Sequence, residues 1–187
     1  MSSSGRPLPS RRPVGPTSSV AHLPVLVSEV VAALVTDPGG SYVDATAGEA
    51  GHSRAILSAL GPQGRLLCID RDPDAVAAAR AALHDQSDRV VVREGPFSAI
   101  AELMAQEGWE RADGILVDLG LRSTALDDPA RGFSFRQDGP LDMRFDPRRG
   151  VSAAELLARI DEAELTRILA EGTSRASPRR LARAILA

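Results

Sequence analysis

Tyr42-Val43-Asp44-Ala45-Thr46-Ala47-Gly48-Glu49-Ala50-Gly51-His52-Ser53 is the stretch whose reading decides the fold. It starts as a short apolar strand, passes through a turn of small residues, and enters a helical pattern through Ile56 and Leu57 to Leu60-Gly61. A strand that feeds a glycine turn and a helix leaves backbone N–H groups free where a cofactor can approach. Downstream, Leu66-Leu67-Cys68-Ile69 is a second strand of the buried type, and it ends on Asp70. An acid about 20 residues beyond such a turn is placed to grip a pair of ribose hydroxyls. The turn and the acid together point to a nucleoside cofactor.

The same unit repeats outward. Val90-Val91-Val92 leads to Gly95-Pro96-Phe97, and Gly114-Ile115-Leu116-Val117 leads to Asp118. Helical stretches over 27–34, 75–83 and 99–106 alternate with these strands, and Asp72 with Pro73 reads as a helix cap. Alternation of this kind predicts a parallel sheet with right-handed crossovers. Ligands of open parallel sheets bind outside the carboxyl ends of the strands, so Asp44, Asp70, Phe97 and Asp118 should gather on one rim. Beyond Asp118 the character changes. Residues 121–149, with their glycines, prolines and Asp/Arg pairs, read as a long ordered loop. Ser152 and Glu155 have capping-box spacing, Asp161 caps a helix carrying Leu165, Ile168 and Leu169 on one face, and Ser177-Pro178 starts a third.

Composition sets the limits. The chain has 187 residues, about one domain, with 43% hydrophobic and 25% charged residues, as in ordinary globular proteins. No apolar run approaches a membrane span. The single cysteine, Cys68, lies in a strand and suits core packing. Every basic residue is arginine, and neither metal-ligand spacing, a Ser/His/Asp arrangement nor a phosphate-loop lysine occurs. The net charge of −3 hides an uneven distribution. Arg6, Arg11 and Arg12 near the start, and Arg175, Arg179, Arg180 and Arg183 near the end, have no acid among them. They suit RNA phosphates or simply solvated faces. Residues 1–21, rich in Ser, Pro, Gly and Arg, read as a disordered arm, with an organellar transit peptide as the alternative.

The pattern Asp-x-Thr-x-Gly-x-x-Gly-His-Ser at 44–53 is joined by Ile69-Asp70-Arg71-Asp72-Pro73 and by 113–120, Asp-Gly-Ile-Leu-Val-Asp-Leu-Gly. With Arg131-Gly132-Phe133-Ser134-Phe135 and Asp138-Gly139-Pro140-Leu141-Asp142-Met143-Arg144, it resembles the RsmH (MraW) family from about His22 to the C-terminus. The resemblance implies an α/β fold, a Rossmann-like S-adenosylmethionine-dependent methyltransferase, here with an incomplete parallel sheet followed by a helical segment. Its implied divisions are the arm 1–21, a cofactor-binding core over 22–120, and 121–187 as loop and the start of a helical substrate-recognition part. The implied reaction is methylation of the exocyclic N4 of a cytidine in small-subunit ribosomal RNA. The implied partner is the assembled small subunit, and the implied location the cytoplasm.

By the same resemblance Ala50, Gly51, His52, Asp70, Phe97 and Asp118 occupy cofactor positions. Asp70 would accept both ribose hydroxyls, Phe97 would lie against the adenine, and Gly51 would allow close approach of the methionine moiety. Asp118, the catalytic candidate, would meet the substrate amine or orient the cofactor. Bland alternatives stand beside these: a helix-start hydrogen bond for His52, a strand-end turn for Asp118, and core packing for Phe97. Asp142 and Arg144 would form an ion pair, or Arg144 would meet RNA. The chain departs from the family where Ala50 replaces a glycine, where Leu121 to Ala125 replaces Val-Ser-Ser-Pro-Gln, and near Glu171-Gly172-Thr173-Ser174. The family also continues with further strands. The expectation is therefore a fourth strand without its neighbour, marginal solubility and weak activity in the isolated chain. A non-catalytic nucleoside- or RNA-binding remnant and a dinucleotide-dependent oxidoreductase are the competing readings.

Overall fold

The structure is a computed structural model, and it describes residues 24–172 and 177–187. Four strands, β1 (Ser41–Asp44), β2 (Arg65–Asp70), β3 (Val90–Glu94) and β4 (Gly114–Leu116), form one parallel sheet in the order β3-β2-β1-β4. Val43 lies opposite Leu67, and Leu67 opposite Val91, so apolar residues of three strands line up across the sheet. The order reverses between β1 and β4, and this is the crevice at which open α/β sheets bind ligands.

Tyr42, Val43, Leu66, Leu67, Cys68 and Ile69 are wholly buried, because helices cover both faces of the central strands. On one face Tyr42, Leu66 and Cys68 meet Ile56 and Leu57 of α2 (Gly51–Ala59), Val76 and Ala79 of α3 (Pro73–Ala82), and Val31 and Leu34 of α1 (Val27–Leu34). On the other, Val43, Leu67 and Ile69 meet Trp109 with Leu103 and Met104 of α4 (Ile100–Gln106). Gly114 makes the α1 contact possible, since a Cβ there would lie 2.8 Å from Leu34 and 3.0 Å from Tyr42. No helix among the described residues is long and apolar enough to cross a membrane.

The expected strands and helices are present, with small differences. Asp72 caps α3 by accepting from the Asp74 amide, with Pro73 at the first position. β4 stops at Leu116, before Val117, and pairs only with β1. Its outer side leaves Ile115 and Val117 about half exposed, as expected of a strand without a second neighbour. Residues 121–149 are largely loop but contain α5 (Ser123–Asp127) and a single tight turn, Pro129–Arg131. Then follow α6 (Ala153–Leu157), which carries both halves of the Ser152/Glu155 capping box, and α7 (Glu162–Gly172) and α8 (Pro178–Leu186), packed on each other. Ile168 stands exposed on α7 and is not part of a buried face, whereas Leu165 is buried. The arm 1–21, with Arg6, Arg11 and Arg12, lies outside the described residues, as do Thr173, Ser174 and Arg175.

Candidate nucleoside and amine site

The turn after β1 owes its shape to two left-handed residues, Gly48 at φ 53° and Ala50 at φ 64°. For Gly48 this is natural, but for Ala50 it costs on the order of 1–2 kcal/mol, because its Cβ crowds the following carbonyl. Ala50 is the residue that precedes α2, and no side chain caps that helix. Its first amides therefore have no side-chain acceptor among the described residues. Gly51 also meets a packing constraint within the chain. A Cβ there would sit 2.7 Å from Cγ of Pro24, so the glycine admits the chain leading into α1.

Asp70 ends β2 beside this turn. One carboxylate oxygen accepts the Gly48 amide at 2.9 Å, and the other accepts the Asp72 amide at 2.9 Å. The carboxylate thus fastens the turn to β2. Each oxygen keeps a lone pair, since a carboxylate has about four acceptor sites, enough for two vicinal hydroxyls. Asp44, expected on the rim, turns inward instead. It is buried and accepts from Ser53 Oγ at 2.6 Å and from the Thr46 amide at 3.2 Å. Burial pushes its carboxyl above the usual range, and it supports the turn without facing ligand.

His52 and Asp118 close the other side. The Val25 carbonyl accepts from His52 Nε2 at 3.0 Å, which leaves Nδ1 of a neutral imidazole as an acceptor. That Nδ1 lies 3.8 Å from Asp118 Oδ2, too far for a hydrogen bond. Two acceptors at this separation suit a donor with several N–H groups, such as an ammonium or an exocyclic amine. The Val25 bond uses Nε2 and leaves Nδ1 of His52 for a second partner. Asp118 is held through its backbone, whose N–H donates to Thr46 Oγ1 at 2.8 Å, and its carboxylate is half exposed. Phe97, after β3, is 51% exposed and so is not simple core packing.

The loop after β4 carries Arg122 and Ala125, where the sequence departs from the family, and the Asp142/Arg144 pair. Arg122 lies against Gly48, 3.7 Å from the position a Cβ would take, and donates to Asp72 at 2.7 Å. Ala125, where the family carries glutamine, is buried. Phe135 stands 91% exposed with the Arg136 guanidinium 5.8 Å from its ring centre. Asp142 and Arg144 pair at 2.6 Å, and Glu162 draws Arg179 and Arg183, so those arginines are not unpaired. Two surface depressions lie away from the rim. One lies at the amino ends of the strands, around Gly40, Arg65 and Asp113, and the other beside α3 and β3. Neither includes a rim residue, and depth alone is a poor guide on an open sheet.

The MraW methylase family matches residues 19–187. Relatives named ribosomal RNA small subunit methyltransferase H are 50% identical in Thiobacillus denitrificans and 49% in Methylibium petroleiphilum. Each alignment covers 89% of this chain, and 53% and 52% of the respective relatives. The chain therefore spans about half the length of the curated relatives it matches. An O-methyltransferase from Bacillus cereus, solved with SAH, superposes on 85% of this chain and 64% of its own at a TM-score of 0.42 and 16% identity. By its sequence the chain belongs to the MraW methylase family.

Proposed function

We propose that this chain carries the cofactor-binding part of an S-adenosylmethionine-dependent enzyme that methylates the exocyclic N4 of a cytidine in small-subunit ribosomal RNA. The observation that carries the reading is the Asp70 carboxylate, tied to the Gly48 turn at the carboxyl end of β2 in a chain of this family. The names of the half-identical relatives support the ribosomal RNA substrate. When bound, S-adenosylmethionine supplies a methyl group on a positively charged sulfur.

Asp70 accepts the two ribose hydroxyls with its remaining lone pairs. Phe97 offers its exposed ring to the adenine. The uncapped start of α2, at Ala50, Gly51 and His52, lies against the methionine moiety. Asp118 accepts an N–H of the substrate amine and turns the nitrogen lone pair toward the methyl carbon. With the methyl group supplied by the cofactor, the proton lost from the amine would leave to water. Positioning of this kind supplies much of the rate in a two-substrate transfer. Phe135 and Arg136 offer a ring and a cation to an unstacked base of the RNA. The assembled small subunit is the proposed substrate, met in the cytoplasm.

A second reading, nucleoside binding without methyl transfer, is favoured by Arg122, which crowds the cofactor turn, and by the strained Ala50. One experiment separates the two. Mass analysis of small-subunit RNA after incubation with this protein should show a new methyl group on cytidine. Asp118→Ala should lower turnover about 100-fold while changing cofactor affinity little. Cofactor binding with no methyl transfer by the wild type would instead favour the second reading.

A further inference from the structure

Segment 128–149 is a folded-back unit, and its contacts explain how. Gly132 lies at φ 72°, and a Cβ there would come within 2.4 Å of the Pro140 carbonyl oxygen and 2.6 Å of the Asp142 nitrogen. A Cβ on Gly139 would lie 2.0 Å from the Pro129 carbonyl oxygen. The Met143 amide donates back to the Arg131 carbonyl at 3.0 Å, and the carbonyls of Asp142 and Leu141 receive the first amides of α6. Residues 129–132 and 139–142 are therefore pressed together backbone to backbone, with Phe135 at the projecting tip.

A buried side chain, Arg131, ties this unit to the residues that follow β2. Arg131 is buried, and its guanidinium donates to Asp72 Oδ2 at 2.9 Å, Asp72 Oδ1 at 3.4 Å and Asp74 Oδ2 at 2.9 Å. The same group donates to the carbonyls of Phe145 at 2.7 Å and Arg144 at 3.3 Å. Burial alone would raise the Asp72 carboxyl, but hydrogen bonds from Arg131 and Arg122 outweigh it and hold it below the usual range. Asp72 is joined in turn to Asp70 through its own amide. The path from the nucleoside-binding acid to the projecting loop is thus Asp70, the Asp72 backbone, the Asp72 carboxylate, Arg131 and the 144–145 carbonyls. A second tie, Arg148 to Glu94 at the end of β3, fixes the far end of the loop.

We propose that Asp72 and Arg131 are positioning residues, a buried latch that holds the RNA-facing loop 128–149 in register with Asp70 and hence with the bound nucleoside. The inference rests on the proposed function for what the loop faces, but the latch itself is a property of the chain. The planar guanidinium serves two carboxylates and two carbonyls at once through Nη1 and Nη2, a fork that the point charge of lysine does not reproduce. Asp72→Asn keeps the cap of α3 and the backbone bond to Asp70 while removing the charge that holds Arg131.

Hydrogen exchange in the full chain tests this, with and without S-adenosylhomocysteine. In the wild type the amides of 142–144 should be protected. In Arg131→Gln, Arg131→Lys and Asp72→Asn their exchange should rise at least tenfold, while β2 and α3 stay protected. S-adenosylhomocysteine affinity should stay within about threefold, and turnover on small subunits should fall about 100-fold, with the loss in kcat exceeding any change in the cofactor KM. A uniform loss of protection, or unchanged exchange at 142–144 in Arg131→Gln, would overturn the latch. Failure of the wild type to bind S-adenosylhomocysteine would instead overturn the proposed function, since the exchange measurement needs no ligand.

Discussion

The sheet and the loop that overhangs it are held together by different physics. β1 and β2 present Tyr42, Val43, Leu66, Leu67 and Ile69 to apolar helices on both faces, and none of these side chains is reached by solvent. Segment 128–149 has Leu141, Met143 and Phe145 more than a third exposed, and it is pinned by Arg131, Arg144 and Arg148 on acids. Burial is non-directional and tolerates acid, whereas paired charges need their carboxylates ionised. The two regions should therefore fail under different conditions.

The largest effect should come from the sheet. Leu67→Ala empties a fully buried site between α4 and the strands, at a cost of about 2–5 kcal/mol. That is a large share of the ~5–15 kcal/mol of a typical domain. A urea titration followed by far-ultraviolet circular dichroism should show the whole chain unfolding earlier in one transition. A midpoint shift confined to the loop would mean that the core is elsewhere.

Acid should release the loop first. Hydrogen bonds from Arg144 hold the Asp142 carboxyl down to about 2, and those from Arg148 do the same for Asp146. An unperturbed aspartate titrates near about 3.9. Because the folded values are the lower ones, their stabilisation is complete above about pH 4 and is lost as the pH falls toward 2. Asp44 runs the other way, since burial raises its carboxyl and protonation relieves that cost. Amide signals of Arg144 and Arg148, whose N–H groups donate to those two acids, should move between pH 4 and 2 before signals of β2 do. Simultaneous loss would show that the loop is not an independent unit.

The smallest effect concerns the turn. Ala50→Gly removes the Cβ from a left-handed position, offset in part by the greater freedom of glycine in the unfolded chain. A gain of about 0.5–1 kcal/mol in chemical denaturation is expected. A loss would mean that the buried Ala50 methyl packs better than it strains.

What the sequence made legible follows the same division. Period and length sufficed for the strands and for α1, α2, α3 and α4, because buried strands are apolar runs, though of these helices only α3 carries a side-chain cap. Asp72 with Pro73, and Ser152 with Glu155, are local signals read from neighbouring residues. The Asp72–Arg131 pair spans 59 residues and Arg122–Asp72 spans 50, and in sequence such charges look like any solvated Asp/Arg run. Gly51 was legible as a close approach, but its partner, Pro24, lies in a segment that only the fold brings near. Arg131 and Asp142 fall in two separate boxes of the family pattern. Nothing local could tell that Arg131 reaches the acid beside the cofactor turn.

The central claim is that Asp70 and the turn it fastens form a site for the S-adenosylmethionine nucleoside. Calorimetric titration of the wild type and Asp70→Ala with S-adenosylhomocysteine, and of the wild type with NAD, tests it directly. Loss of a hydrogen bond to a charged group costs about 1.5–3 kcal/mol. S-adenosylhomocysteine should therefore bind the wild type and lose roughly 10- to 100-fold in the variant, with no heat from NAD. Equal affinity in wild type and variant, or binding of NAD in place of S-adenosylhomocysteine, would contradict the account.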